Sequence, residues 1–246
     1  KIVSISSAGR INELFSAYNL SYSYEPGPVI VEIDSQVFDQ EIEDSEIIPE
    51  TETAKLKIKE KDIAEIVRHI DEAGQVGIYA GNGCRGAGRE LLELSKILSA
   101  PVATTISGRG VIPEDYELST GYGFGRTGSP AAYRIFNNCD LILAIGVKFS
   151  EMATGGWGLK FHKMIHVDIA KDNLDKNYSS LFSVQADARN VLAELSKSLI
   201  NRHRPLNVGA IEEIKKYKTD HAAKIHKKKS GNSLHPAILL QDMRKC

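Results

Sequence analysis

The chain has 246 residues, 42% hydrophobic and 26% charged, with 31 Lys and Arg set against 32 Asp and Glu. That balance is close to the globular average, so it argues against disorder, a collagen-like repeat or a polyanion-binding tail, and no nucleic-acid partner is expected. Its apolar runs fall far short of the ~20 residues that span a bilayer, and a soluble, cytoplasmic protein with no membrane partner is expected.

In residues 1–26, Ile11, Leu14, Phe15 and Tyr18 recur at helical spacing, which predicts a helix with loop around it. Residues 27–33, Gly-Pro-Val-Ile-Val-Glu-Ile, read as a short strand after a turn signal. Residues 41–59 are acidic, contain Pro49 and lack periodicity, as suits an exposed linker. A different rhythm follows. Ile63, Ile66, Val67 and Ile70 mark one face of a helix over 61–73, and the apolar run 76–80 predicts a buried strand. Helices are expected over 89–98, 130–138 and 188–202, and strands over 101–105, 141–145, 164–169 and 182–185. This alternation predicts an α/β fold, a doubly wound parallel sheet with helices on both faces. Residues 207–229 are amphipathic and end in Lys227-Lys228-Lys229, read as a solvated face leading into a linker, and a new helix begins near His235. The chain opens on Lys1 rather than Met, so a piece of a longer protein is expected. Cys84, Cys139 and Cys246 lie too far apart to suggest a disulfide framework or a zinc motif.

Open parallel sheets bind ligands beyond the carboxyl ends of their strands, so the strand-end loops carry the functional expectation. The first is Gly81-Asn82-Gly83-Cys84-Arg85-Gly86-Ala87-Gly88, leading into a helix whose amino terminus offers unpaired N–H groups to an anion. The second contains Thr105, Ile106, Ser107 and Gly108, and the third Gly125, Arg126, Thr127 and Gly128. The fourth begins Gly146-Val147-Lys148-Phe149 and runs on to Thr154-Gly155-Gly156-Trp157-Gly158. Four such turns together predict a nucleotide crevice. Asp168 stands where dinucleotide-binding sheets place an acid against ribose hydroxyls, although a strand-end Asp also starts turns. Asp187 admits the same contact or an N-cap for the next helix. His166 sits in an apolar strand and reads as a core histidine. Ser129 and Cys139 have no evident base partner, so no catalytic residue is assigned.

Several of these runs occur together in one family. Pro101-Val102-Ala103-Thr104-Thr105, Gly108-Arg109-Gly110 with Pro113-Glu114, residues 125–128, residues 139–146 and Ile165-His166-Val167-Asp168-Ile169 resemble the central domain of thiamine-diphosphate-dependent enzymes, nearest the acetolactate synthase type. The likeness runs from about residue 76 to 199. It implies a remnant of the pyrimidine-binding domain in 1–40, a linker in 41–59, the central nucleotide-binding domain in 60–203, a helical linker in 204–232 and the start of the pyrophosphate-binding domain in 233–246. The full-length enzyme would use thiamine diphosphate and Mg2+, act on a small 2-oxo acid, and form a homodimer or homotetramer. The glutamate that activates thiamine and the Gly-Asp-Gly motif that holds the metal do not occur here, so no catalytic residue or metal ligand is named.

Members of the acetolactate synthase type hold FAD in this domain. The resemblance would place Gly81, Asn82, Gly83 and Gly86 by the phosphates and ribitol, and residues 105–110 and 125–127 along the flavin arm. It puts Asp168, Ile169, Asn173 and Asp187 around the adenosine, with Gly146 and Lys148 on the loop between. The sequence also departs from the flavin-binding pattern. Lys148-Phe149-Ser150-Glu151-Met152 stands where relatives have Arg-Phe-Asp and a second Arg, Thr127 replaces a histidine, and Ala186 replaces a glycine. Lys cannot reproduce the forked geometry of Arg toward phosphate. The alternatives are an oxalyl-CoA or benzoylformate decarboxylase-type relative with ADP or nothing here, and a stand-alone nucleotide-binding subunit of the same fold.

Overall fold

The computed structural model describes residues 1–41, 56–124, 128–227 and 236–243. Its first part is a small βαβ unit of β1 (Ile2–Ile5), α1 (Glu13–Tyr22) and β2 (Ile30–Ile33), with the strands parallel and Ile2 opposite Ile30. The expected helix is present, but the chain opens on a strand that the local pattern does not announce, because its partner lies beyond α1. β2 starts three residues later than expected, after Gly27 and Pro28. Two strands and one helix cannot enclose their own apolar surface. Phe38 is 74% exposed, and Ile2, Ile30, Tyr18 and Tyr22 are also exposed.

The second part follows α2 (Glu60–Glu72) with β3 (Val76–Ala80), α3 (Gly88–Leu98), β4 (Val102–Thr104), β5 (Ser119–Tyr122), α4 (Pro130–Phe136), β6 (Leu141–Ile145), β7 (Met164–Asp168), β8 (Phe182–Gln185) and α5 (Ala188–Leu199). Helices α6 (Val208–Lys227) and α7 (Pro236–Met243) close the order. Among the described residues, the six strands β3 to β8 form one parallel sheet in the order β5-β4-β3-β6-β7-β8. The order reverses at β3, so the strands before and after it diverge between β3 and β6, where a doubly wound sheet opens its crevice.

Alternation along the strands sorts side chains to two cores. On one face Ile78, Leu143, Ile145, Ile165 and Val167 pack against α2, α3 and α5 through Ile66, Ile70, Leu91, Leu94, Val191 and Leu195. On the other, Tyr79, Ile142, Ala144 and Met164 meet α4 and α6 through Ala132, Ile135, Phe136, Ala210 and Ile214. α2 repeats apolar residues at i, i+3, i+4 and i+7, which gives the stripe that a sheet face buries. β5 was not expected, since Ser119-Thr120-Gly121-Tyr122 is polar. It holds the sheet edge because its buried hydroxyls find partners, as where Thr120 Oγ1 donates to Val102 O at 3.1 Å.

Arg204 ties the segment before α6 to the carboxyl end of α2, donating to Ile70 O and Gly74 O, where a cation complements the helix dipole. Of the expected linker, residues 42–55 lie outside the described residues. No helix among the described residues is long and apolar enough to cross a membrane.

Candidate functional site

The register levels the ends of the central strands: Ala80 lies opposite both Thr104 and Ile145, and Asp168 opposite Gln185. The expected loops therefore leave the sheet along one edge. At its middle, the loops after β3 and β6 run backbone against backbone. Gly81 N donates to Ile145 O at 2.9 Å, and Gly83 N to Gly146 O at 3.2 Å. A Cβ on Gly83 would stand 2.7 Å from Gly146 Cα, one on Gly146 would stand 2.5 Å from Gly83 Cα, and one on Gly81 would fall on Gly146 O. Gly146 also has φ +62, in the left-handed region that favours glycine. Three of the residues expected to touch a nucleotide thus have a structural duty: they let the two loops meet.

The neighbouring loop joins the same contact. Thr105 N donates to Ala80 O at 2.9 Å and its buried hydroxyl accepts from Gly108 N at 3.0 Å, while a Cβ on Gly108 would stand 2.8 Å from Ala80 O. Ile106 and Ser107 lie exposed beyond it. Gly125, Arg126 and Thr127 fall outside the described residues.

Two stretches of this edge carry polar groups beyond the loop contact. Asn82 is exposed in a 3-10 turn, and Gly86 has φ +81 as the chain enters α3. α3 has no side-chain cap. Its first N–H groups have no intrahelical acceptor, and Arg189 Nη2 approaches to 3.2 Å from where a Cβ of Gly86 would stand. Arg189 was not foreseen. Its signal was a cation in the first turn of α5, the helix that packs beside α3. Farther along, the 5% exposed Asp168 accepts from Ala170 N at 2.9 Å and from Asn173 Nδ2 at 3.0 Å, so these two expected residues do come together. Ile169 is half-buried and its carbonyl accepts from Gln185 Nε2. Asp187 caps α5, its Oδ1 accepting from Asn190 N at 2.9 Å. Both the turn role of Asp168 and the capping role of Asp187 are therefore present. Cys84 lies fully buried beneath this region; burial pushes its thiol up to about 12, and the charges of Asp168 and Asp187 add to the effect. A nucleophilic thiolate is excluded there.

Lys148 is exposed and pairs with Glu25 from the first part of the chain. The next residue, Phe149, is buried at φ +49 and packs on His166 and Tyr178, with ring centroids 5.1 and 5.2 Å away. His166 Nε2 lies 2.9 Å from Val147 O, which assigns the proton to that nitrogen. Its Nδ1 and the Tyr178 hydroxyl are buried without a partner among the described residues. Burial holds the His166 pKa below its ordinary value, against the opposing charges of Asp168 and Asp175. His166 is thus a neutral core residue that fixes the loop after β6, as expected from its place in the strand. The described residues contain no cluster of His, Cys, Asp or Glu that could hold a metal ion.

The family described as "Thiamine pyrophosphate enzyme, central domain" matches residues 63–195, more than half of the chain. The chain belongs to this family. A protein named "Probable acetolactate synthase large subunit" from Methanocaldococcus jannaschii is 34% identical over 200 residues, covering 75% of this chain and 33% of that protein. "Acetolactate synthase, chloroplastic" from Arabidopsis thaliana is 30% identical over 205 residues, covering 78% of this chain and 30% of its own length. The chain spans about a third of the length of the curated relatives it matches. The six-stranded sheet is thus the central domain of a thiamine pyrophosphate enzyme. The groups at its carboxyl edge that could face an anionic dinucleotide are the uncapped α3 terminus, Arg189, which pairs with Glu90 of that helix at 3.6 Å, and the Asp168–Asn173 pair. Lys148, like Arg189, already has a carboxylate partner, Glu25.

Proposed function

We propose that this chain is part of a thiamine-diphosphate-dependent enzyme that decarboxylates a 2-oxo acid and joins the resulting acyl carbanion to a second molecule. The best-supported reaction makes acetolactate and CO2 from two pyruvates. The likeness to proteins named acetolactate synthase, at 34% and 30% identity, carries this reading. Thiamine diphosphate and Mg2+ would be held by segments outside this chain, with the sheet serving to bind FAD along its carboxyl edge. Residues 1–40 would then belong to a pyrimidine-binding domain, and the exposed Ile2, Ile30, Tyr22 and Phe38 support this, since a larger sheet would cover them. On the same reading 41–59 links the domains, 60–203 is the central domain, 204–232 a second linker and 233–246 the start of a pyrophosphate-binding domain, in a cytoplasmic homodimer or homotetramer.

When bound, FAD would supply a flavin ring and a pyrophosphate. The chain's own part would be to seat the phosphates at α3 with Arg189, which would exchange its Glu90 partner for them, and to present Asp168 and Asn173 to a ribose. Purified full-length protein given pyruvate, thiamine diphosphate and Mg2+ should form acetolactate and carry a yellow flavin spectrum. Absence of acetolactate would refute the reaction, and a colourless protein that does not take up added FAD would refute the flavin.

One observation favours a second reading. Glu25 neutralises Lys148, the cation expected to face the dinucleotide, which suits an ADP-sized ligand as in an oxalyl-CoA or benzoylformate decarboxylase-type relative. Turnover of those substrates in place of pyruvate would decide for it.

A further inference from the structure

The turn that follows β6 presents an aromatic side chain that neither folding nor burial explains. Gly155, Gly156 and Trp157 have φ values of +65, +74 and +65, three successive residues in the left-handed region. Glycine adopts that conformation freely, and the sequence supplies it at 155, 156 and 158, yet position 157 carries the bulkiest side chain available. A left-handed backbone at a bulky residue is strained, and such strain persists where the surroundings impose it. Core packing does not repay it, because Trp157 is 51% exposed.

The surroundings do impose it. Thr154 is fully buried, and its hydroxyl oxygen accepts from Trp157 N at 3.1 Å while lying 3.0 Å from Ser150 O, to which it donates. Gly156 N donates to Glu151 O at 2.9 Å and Gly158 N to Thr154 O at 3.1 Å. The turn is in turn fastened to the sheet by the hydroxyl of Tyr79, next to last in β3, which donates to Ala153 O at 2.5 Å. The turn that carries the indole is therefore fixed to the sheet through Tyr79, near the carboxyl end of β3.

We propose that Trp157 is a stacking platform for the flavin ring of a dinucleotide bound at this edge, an inference that rests on the flavin reading above. The assignment of ends follows from the sheet order. Asp168 and Asn173 end β7 and suit the adenosine ribose, whereas the Trp157 turn is anchored on β3, on the other side of β6, where the opposite end of an extended dinucleotide would lie. A half-exposed indole on a fixed backbone loses little entropy when a planar ring covers it, and stacking of this kind is sensitive to loss of the aromatic face.

The test measures binding of FAD and of ADP, which lacks the flavin ring, to the protein and to its Trp157→Leu, Trp157→Phe and Trp157→Gly variants, with melting temperatures recorded for each. The expected result is about tenfold weaker FAD binding in Trp157→Leu with ADP binding unchanged, and near-normal FAD binding in Trp157→Phe. Flavin emission should be quenched on the wild type and partly restored on Trp157→Leu. Trp157→Gly should melt no lower than wild type, since glycine relieves the backbone. FAD binding unchanged in Trp157→Leu, with wild-type binding intact, would overturn the platform while leaving the flavin reading standing; equal losses for FAD and ADP would do the same. A wild type that binds neither nucleotide would overturn both.

Discussion

The contact between the loops after β3 and β6 can be separated into its steric and conformational parts with three alanines. Gly81 has an ordinary φ of −98, so Gly81→Ala tests sterics alone, its Cβ falling on Gly146 O. Gly110 has φ +85 with nothing within 4 Å of a new Cβ, so Gly110→Ala tests the left-handed backbone alone. Gly146→Ala combines the two, with φ +62 and Gly83 Cα 2.5 Å away. Forcing a methyl against backbone in a packed site costs about 1–3 kcal/mol, toward the top of that range where neither strand can yield. The left-handed penalty is about 1 kcal/mol. The expected losses are therefore about 3 kcal/mol for Gly81→Ala, about 1 for Gly110→Ala and about 4 for Gly146→Ala. At roughly 2–4 °C per kcal/mol for a chain of this size, Gly81→Ala should melt about 6–12 °C below wild type and Gly110→Ala about 2–4 °C below. Thermal unfolding followed by far-ultraviolet circular dichroism reads all three. If Gly81→Ala melts within 2 °C of wild type, or if Gly110→Ala loses as much as Gly81→Ala, the loops are not in the contact described and their glycines serve something else.

Three further outcomes follow from buried polar groups. Tyr79→Phe removes the bond to Ala153 O and should cost about 1–2 kcal/mol in urea unfolding, since the carbonyl loses its buried donor; no loss would mean that the turn is fastened elsewhere. Asp187→Ala removes the α5 cap and should cost about 1 kcal/mol, with Asp187→Asn recovering most of it; equal losses in both would point to charge rather than capping. His166 has a pKa held below its ordinary 6.5 by burial, so the unfolded chain takes up a proton where the native one resists it. Its contribution is complete above about pH 6.5 and declines as pH falls toward the folded pKa, by at most about 1.4 kcal/mol per pH unit. The difference in stability between wild type and His166→Gln measured from pH 7.5 to 5 should reveal that slope, and a difference independent of pH would refute it.

Much of the central sheet was legible in the residues. The apolar runs of β3 and β6 could only be buried strands, and the faces of α2, α3 and α5 follow from the spacing of Ile63 to Ile70, Leu91 to Leu98 and Val191 to Leu199. β1 and β5 were not legible, because each is a strand by virtue of a distant partner, β2 for one and β4 for the other. The row of strand-end loops was foreseen correctly as a row. The duties within it were not, since a glycine that cradles a phosphate and a glycine that admits another backbone look alike in sequence.

The sequence by itself therefore determined the alternating architecture and the kinship of the chain, because periodicity and motif order are local or collinear properties. Tertiary structure alone decided that Gly81, Gly83 and Gly146 close on one another, that Glu25 occupies Lys148, and that Trp157 stands on a strained turn fastened by Tyr79. Each of these joins residues from different strands or segments, and the energy of such a contact depends on a separation in space that no spacing along the chain encodes.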